Sequence, residues 1–104
     1  MSQFDVFDNP IAQARRAYPY IAVLQADRAE TGNDRIVAPL VPRGRISGTA
    51  GRLTPYVKVL TVEHVLLTPS MTAIPIAGLR EIRDSLKPFR NDIVAALDYL
   101  FLGI

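Results

Sequence analysis

Cysteine and tryptophan are absent from this 104-residue sequence, and histidine occurs once, as His64. Without cysteine the chain can form neither a disulfide framework nor a thiolate metal site. Metal sites and triads built on histidine need further ligands or partners, which the sequence does not supply around His64. We therefore expect no metal, no cofactor, and for His64 the role of a strand residue with one hydrogen bond.

Long apolar runs are also absent, and we expect no secretory leader. No segment approaches the ~20 apolar residues that span a bilayer. The first residues, MSQFDVFDNP, contain acids but no apolar core segment. With 49% hydrophobic residues and scattered glycine and proline, the sequence predicts one globular domain over residues 1–104, located in the cytoplasm without membrane contact.

The sequence has no strong excess of either charge, because 12 basic and 10 acidic residues leave a net charge of +2. Their distribution is uneven, since the segment 43–58 has no acid and four bases: Arg43, Arg45, Arg52 and Lys58. This pattern is compatible with a phosphate-binding patch, a dock for an acidic partner segment, or a solvated loop. No aromatic residue stands among these bases before Tyr56, which disfavours single-stranded nucleic acid as the partner.

Recognisable catalytic motifs are lacking as well. The serines have no nucleophile-elbow context, and the glycines after position 43 lack the lysine and helix of a phosphate-binding loop. Asp92 and Asp98 would fall on different sides of a helix, so they do not pair as acid and base. These absences predict a protein that is not an enzyme.

Short apolar runs bounded by turn residues predict strands at 3–7, 21–24, 36–41, 56–60, 63–67 and 71–76. In the first strand, Phe4 and Val6 share one face. We expect Pro39 and Pro42 to restrict part of their strand to an edge or a bulge, and a tight connection at residues 61–62. The spacing of apolar residues over 79–86 is helical.

The last segment predicts a helix that begins near Pro88, a residue suited to the first helical position. One stripe of this helix is apolar: Phe89, Ile93, Ala96, Leu97, Leu100 and Ile104. Leu102 projects on the opposite, polar side, next to Phe101, so the tip of the helix is a candidate partner surface. The predicted fold is α+β, mainly β: a small antiparallel sheet or barrel whose open face the helix covers.

Short motifs along the whole chain resemble the CcdB toxins of bacterial toxin–antitoxin modules. The matching segments are Gln3-Phe4-x-Val6, Leu24-Gln25-Ala26-Asp27, residues 36–40 (IVAPL), 53–57 (LTPYV) and 71–76 (MTAIPI), Asn91-Asp92-Ile93, and Phe101-x-Gly103-Ile104. The resemblance implies an SH3-like barrel with a small second sheet and a C-terminal α-helix. It also implies a homodimer.

The function implied by the resemblance is that of a toxin which binds the A subunit of DNA gyrase and traps its covalent complex with cleaved DNA. An antitoxin with a disordered acidic C-terminal tail neutralises such toxins, and operator DNA is contacted only through the antitoxin complex. The implied gyrase-binding residues are Asp98, Phe101, Leu102, Gly103, Ile104, Arg28 and Ala29. The acid-free segment suggests the antitoxin-binding residues Arg43, Arg45, Ile46 and Arg52.

Three of these contacts, one of which is formed by a pair of residues, depart from the family pattern. Leu102 stands where gyrase poisons have tryptophan, Asp98 where they have asparagine, and Arg28 and Ala29 where they have paired isoleucines. Two alternatives therefore remain open. The first is a homologue with lost or altered gyrase poisoning that acts as an antitoxin-binding co-repressor module. The second is an endoribonuclease on the same fold, for which the loose candidates are Arg15, Arg16, His64 and Arg83.

Overall fold

Short apolar segments of the chain pair side by side, as their alternation predicts, and form one antiparallel sheet. The computed structural model describes residues 1–29, 32–46 and 51–104. Within them the strands are β1 (Asp5–Asp8), β2 (Tyr20–Val23), β3 (Asp34–Pro42), β4 (Tyr56–Val59), β5 (Val62–Leu66), β6 (Thr72–Pro75) and β7 (Asp84–Ser85). One α-helix, α1 (Arg90–Leu102), follows them.

The sheet has the strand order β4-β5-β3-β2-β1-β7, and every pairing in it is antiparallel. A nearly closed barrel results, in which β7 lies next to the β4–β5 turn: the Asp84 carboxylate accepts a hydrogen bond from the Leu60 N–H at 2.7 Å. The predicted class, α+β and mainly β with a C-terminal helix, is confirmed. The expected small second sheet is continuous with the main one, because β6 pairs with the first half of β3.

Strand β3 is central in the sheet, but the side that faces β5 and β6 is locally open at Pro39, which agrees in part with the expectation of an edge or a bulge. Its first half pairs with β6 and its second half with β5, while β2 runs along the other side. The Ile36 carbonyl faces β2, where it accepts from Leu24, and the Pro39 carbonyl faces the opposite side, where it accepts from Leu67. Proline has no backbone N–H, and at position 39 an N–H would face the gap between β6 and β5. The proline therefore removes no hydrogen bond from the sheet.

Two apolar clusters fill the faces of the sheet. As the alternation predicted, Phe4 and Val6 lie together in the larger cluster, and Phe7 lies in the smaller one. Helix α1 covers the larger cluster with the fully buried Ile93, helped by the partly buried Phe89 and Leu97. Burial of this stripe holds the helix against the barrel.

The terminal helix begins two residues later than predicted, because Pro88 lies in a short 3-10 turn, Lys87–Phe89, that leads into it. Gly103 ends the helix in the left-handed conformation, with φ +73°, and its N–H donates to the Tyr99 carbonyl at 3.0 Å. Such a helix end favours glycine because a side chain there would be strained. Ile104 lies beyond this cap and is 79% exposed, so it does not extend the buried stripe.

The segment 79–86 is not helical, and this prediction is wrong. The Arg83 N–H donates to the Val6 carbonyl at 2.7 Å and the Leu86 N–H to the Phe4 carbonyl at 2.8 Å, so the segment pairs with β1 as strand β7. Leu79 and Leu86 are both buried but belong to different clusters, while Ile82 is 56% exposed. The spacing of apolar residues fits a helix with one apolar face. It also fits an extended segment that contributes side chains to both clusters, as this one does.

The β4–β5 hairpin is confirmed, with its turn one residue earlier than expected. Val59 pairs with Val62, so the connection consists of Leu60 and Thr61. Both have positive φ, +49° and +70°, which is the backbone of a type I′ hairpin turn. Among the described residues, no helix is both long and apolar enough to cross a membrane.

Candidate functional site

The tip of α1 is the most exposed apolar surface of the described chain. Phe101 is 66% exposed, Leu102 68% and Ile104 79%, although the same helix buries Ile93 completely. The predicted exposure of Phe101 and Leu102 is therefore present. Isolated exposed leucines are ordinary, but three large apolar side chains around the cap at Gly103 form a patch. Such patches are typical of protein–protein contact sites.

The charges along α1 are arranged unevenly with respect to its dipole. Asp92 lies in the first turn, where a negative charge is stabilising, and the last turn contains no base. Asp98 is exposed one turn before Leu102. Near the C-terminal end of a helix a carboxylate is unfavourable, so Asp98 makes the tip anionic at some expense of helix stability.

The second element of the expected gyrase-binding surface, Arg28 and Ala29, lies in the turn after β2. Both residues are exposed. The turn is held by a hydrogen bond from the Ala29 N–H to the Ala26 carbonyl at 3.0 Å and by the Gln25 side chain, which donates to the Ala29 carbonyl. Within the described part of the chain, no hydrogen bond or ion pair connects this turn to the helix tip.

Arg43, one of the four bases of the acid-free segment, has an acid next to it in space. Its guanidinium donates to the Glu63 carboxylate at 2.8 Å and lies over the Tyr56 ring, 4.2 Å from the centroid. The hydrogen bond with Glu63, and then the charge of that carboxylate, raise the pKa of Arg43 above its ordinary value. Glu63 also stands opposite Lys58 in the β4–β5 register. Although the segment 43–58 contains no acidic residue, Glu63 of β5 thus places a negative charge next to two of its bases.

The other two arginines of the expected antitoxin surface have different surroundings. Arg45 donates from its guanidinium to the backbone carbonyl of Arg16, next to the half-buried Ile46. Arg52 lies over the Tyr99 ring of α1, 3.9 Å from the centroid. Residues 47–50 between them lie outside the described residues. The structure therefore distributes the four predicted residues over two neighbourhoods, one beside residue 16 and one along β4, β5 and α1.

Two of the four residues considered for ribonuclease chemistry, His64 and Arg83, are engaged in structural contacts. His64 is 3% exposed, its Nδ1 lies 2.8 Å from the Val62 carbonyl, and its ring meets Tyr20 edge-on. Arg83 lies 3.6 Å from carboxylate oxygens of both Asp8 and Glu81. The strand role expected for His64 agrees with these contacts. No group of acids and histidines in the described ranges is placed to hold a metal ion.

Sequence reasoning did not anticipate the partners of the arginines, namely Glu63, Tyr56 and Tyr99. Glu63 and Tyr56 reach Arg43 through the β4–β5 pairing, and only the exact hairpin register brings them there. Tyr99 reaches Arg52 because α1 packs beside the segment that precedes β4. A stack of arginine on tyrosine leaves no periodic signal in the sequence.

Comparison with known proteins identifies the family. No curated protein sequence matches the chain at the required significance. A family model, described as CcdB protein, matches residues 3–103, nearly the whole chain. With the nearly closed barrel, the C-terminal helix and its exposed tip already described, the match shows that this chain belongs to the CcdB family.

Proposed function

We propose that this protein is the toxin of a type II toxin–antitoxin pair, which binds the A subunit of DNA gyrase and traps the cleaved gyrase–DNA complex. Membership of the CcdB family supports a toxin of the gyrase-poison kind. The single observation that carries the proposal in this chain is the exposed apolar tip of α1, with Phe101 and Leu102 about two-thirds exposed. The protein acts by binding and performs no catalytic step.

The tip is proposed to work as a pair in a homodimer. Two copies of α1 then present Asp98, Phe101, Leu102, Gly103 and Ile104 side by side to one gyrase dimer. The turn of Arg28 and Ala29 forms the outer part of the contact. Leucine at position 102 keeps apolar area but lacks a π face, which forgoes ~0.5–2 kcal/mol of attraction to a cation.

Neutralisation is proposed to proceed through an antitoxin with a disordered acidic C-terminal tail. The tail binds Arg43, Arg45, Ile46 and Arg52, and operator DNA is contacted only through the resulting complex. Disordered acidic segments fold onto basic surfaces of this kind when they bind. At Arg43 the tail has to displace Glu63, which occupies the guanidinium in the free protein.

The test of gyrase poisoning is a cleavage-complex assay with purified gyrase, supercoiled DNA and this protein, together with expression of the protein in cells without antitoxin. We expect trapped linear DNA and arrested growth. Phe101→Ala should reduce both effects without affecting folding, since the ring is exposed. Lys58→Ala, an exposed charge away from the tip, is the matched control and should retain activity. If the unaltered protein neither traps cleaved DNA nor slows growth, gyrase poisoning is not its function.

A second function is favoured by Leu102 and Asp98. Together they replace an aromatic anchor and add a charge at the tip, and loss of an anchor at the centre of an interface costs roughly 2–4 kcal/mol. A chain that has lost poisoning in this way would act as an antitoxin-binding co-repressor module. Leu102→Trp and the double variant with Asp98→Asn distinguish the two. Trapping that appears only in these variants supports the co-repressor, whereas trapping by the unaltered chain supports the toxin.

A further inference from the structure

A second set of exposed apolar side chains lies where β4 and β7 meet, which is the seam of the nearly closed barrel. Leu60 is 46% exposed, Val62 54% and Ile82 56%. Leu60 lies in the β4–β5 turn, Val62 begins β5, and Ile82 lies two residues before Asp84. Because the Asp84 carboxylate accepts from the Leu60 N–H at 2.7 Å, the turn and the segment before β7 are held together. We call Leu60, Val62 and Ile82 the seam patch.

Folding alone does not account for the apolar character of the seam patch. The inner face of β4 is already filled by the buried Val57 and Val59. Leu60 has φ +49°, in a turn that favours asparagine or glycine, so leucine suits neither the backbone conformation nor the exposure of this position. Clustered apolar side chains on a protein surface are typical of contact sites for other proteins.

The β4–β5 side of the seam patch has an excess of positive charge. Lys58 is exposed and lies two residues before Leu60. It stands opposite Glu63 in the register, but the Glu63 carboxylate is already paired with the Arg43 guanidinium at 2.8 Å. One carboxylate therefore stands between two bases, which leaves one positive charge in excess.

The β7 side has the opposite arrangement. Glu81 directly precedes Ile82, and its side chain is 83% exposed. Its ionic partner, Arg83, lies 3.6 Å from a carboxylate oxygen of Glu81 and also 3.6 Å from one of Asp8. One guanidinium therefore stands between two carboxylates, which leaves one negative charge in excess.

A surface with a positive and a negative side is complementary to a copy of itself. Rotation about a twofold axis brings the positive side of each copy against the negative side of the other. A partner of uniform charge would be attracted by one side and repelled by the other. The charges beside the seam patch therefore favour a second copy of this chain over a uniformly acidic or basic partner.

We propose that the seam patch binds a second copy of this chain about a twofold axis. The apolar side chains of the two copies pack together, and Lys58 of each copy lies next to Glu81 of the other. The contact uses no residue of the α1 tip, so it adds to the homodimer proposed there and does not rest on gyrase or antitoxin binding. Three apolar side chains from each copy cover much less than the ~800 Å² per partner of a standard interface, so the association is weak.

Sedimentation velocity of the full-length protein over a wide range of concentrations tests the proposal. We expect the average mass to rise with concentration towards twice that of the species present at low concentration. Leu60→Asn and Ile82→Ser should each weaken this step by about fivefold or more, since they remove apolar area from the contact. Asparagine suits the positive φ of position 60, so Leu60→Asn keeps the fold. Circular dichroism checks the fold of each variant.

Exchange of the two charges locates the contact. Lys58→Glu and Glu81→Lys should each weaken the association by about fivefold or more, because each variant places like charges opposite one another. The double variant restores opposite charges and should return to within about twofold of the unaltered protein. Arg28→Glu makes the same reversal in the turn after β2 and should change the association less than about twofold.

A mass that does not rise with concentration would overturn the second copy as the occupant and assign the seam patch to a different protein. Unchanged association in Leu60→Asn, or no recovery in the double charge variant, would also overturn the proposed contact. These outcomes are separate from those of the cleavage-complex assay. Association at the seam without trapped DNA refutes gyrase poisoning alone, whereas trapped DNA without association refutes the seam contact alone.

Discussion

The Leu60 N–H donates to one carboxylate oxygen of Asp84 at 2.7 Å, and this hydrogen bond bridges the two ends of the sheet. The other carboxylate oxygen accepts from the Ser85 N–H, also at 2.7 Å. Strands β4 and β7 are the two outermost strands in the order. The Asp84 side chain therefore joins two ends of the sheet that backbone hydrogen bonds do not join. The barrel is therefore closed by a charge-assisted contact, the stronger kind of hydrogen bond.

Asp84→Ala should lower the free energy of unfolding by about 1–2 kcal/mol, since it removes a charged acceptor from two backbone donors. Urea unfolding followed by circular dichroism measures the change. Glu81→Ala is the matched control, because Glu81 is 83% exposed and makes only a surface ion pair with Arg83. That control should cost less than about 0.5 kcal/mol. Equal losses in the two variants would show that Asp84 does not close the barrel.

The hairpin turn at Leu60 and Thr61 contains two residues in a backbone region that favours asparagine and glycine. For Thr61, a β-branched residue at φ +70°, the strain is greatest. Thr61→Gly should therefore stabilise the protein by roughly 0.5–1 kcal/mol, and Leu60→Asn should add to the gain. The midpoint of urea unfolding is the measurement. Lys58→Gly, a glycine placed inside β4, should have the opposite sign, and a loss of stability in Thr61→Gly would contradict the turn assignment.

The two aspartates of α1 should respond in opposite ways to neutralisation. Asp98→Asn should stabilise the protein by about 0.3–1 kcal/mol, and Asp92→Asn should destabilise it by a similar amount, because they lie towards opposite ends of the helix dipole. Unfolding in low and high salt provides the check, since salt screens both effects. Changes of the same sign would indicate that the dipole does not govern these positions.

The Arg52–Tyr99 stack should contribute a coupling energy of roughly 0.5–1 kcal/mol, the range for an exposed cation over a ring. A double-mutant cycle of Arg52→Gln and Tyr99→Leu, measured by urea unfolding, isolates it. Asp92→Asn combined with Tyr99→Leu is a suitable reference pair. Additivity of Arg52→Gln and Tyr99→Leu would mean that the guanidinium and the ring do not interact in solution.

The sequence was sufficient for elements whose signal is local. Alternation placed Phe4 and Val6 on one face, and the apolar stripe through Ile93 predicted the helix that covers the core. Prediction from the sequence failed where hydrogen bonds to a segment distant along the chain determine the backbone conformation. The segment that includes Leu79 and Leu86 becomes extended because β1 offers it backbone partners, which no local pattern reveals.

Contacts at the candidate site show the same limit. Exposure of Phe101 and Leu102 followed from their place on the helix. The engagement of Arg43 with Glu63 could not be inferred, because it depends on the hairpin register and on side-chain rotamers. The negative charge of the helix tip followed from the sequence alone, whereas the Arg52–Tyr99 stack depends on the packing of two segments that are distant along the chain.

Strand β3 pairs with β2, β5 and β6, so detaching any one neighbour leaves it held by the other two. The buried amides of Ala38 and Leu40 face β2, as the Ile36 carbonyl does, and detaching β2 from β3 would divide the sheet in its middle. Solvent exchange of these amides should therefore require the whole molecule to open. Native-state hydrogen exchange should return the full unfolding free energy at these two amides. A partner that binds the tip of α1 therefore acts on a protein in which β3 is the last strand to lose its hydrogen bonds.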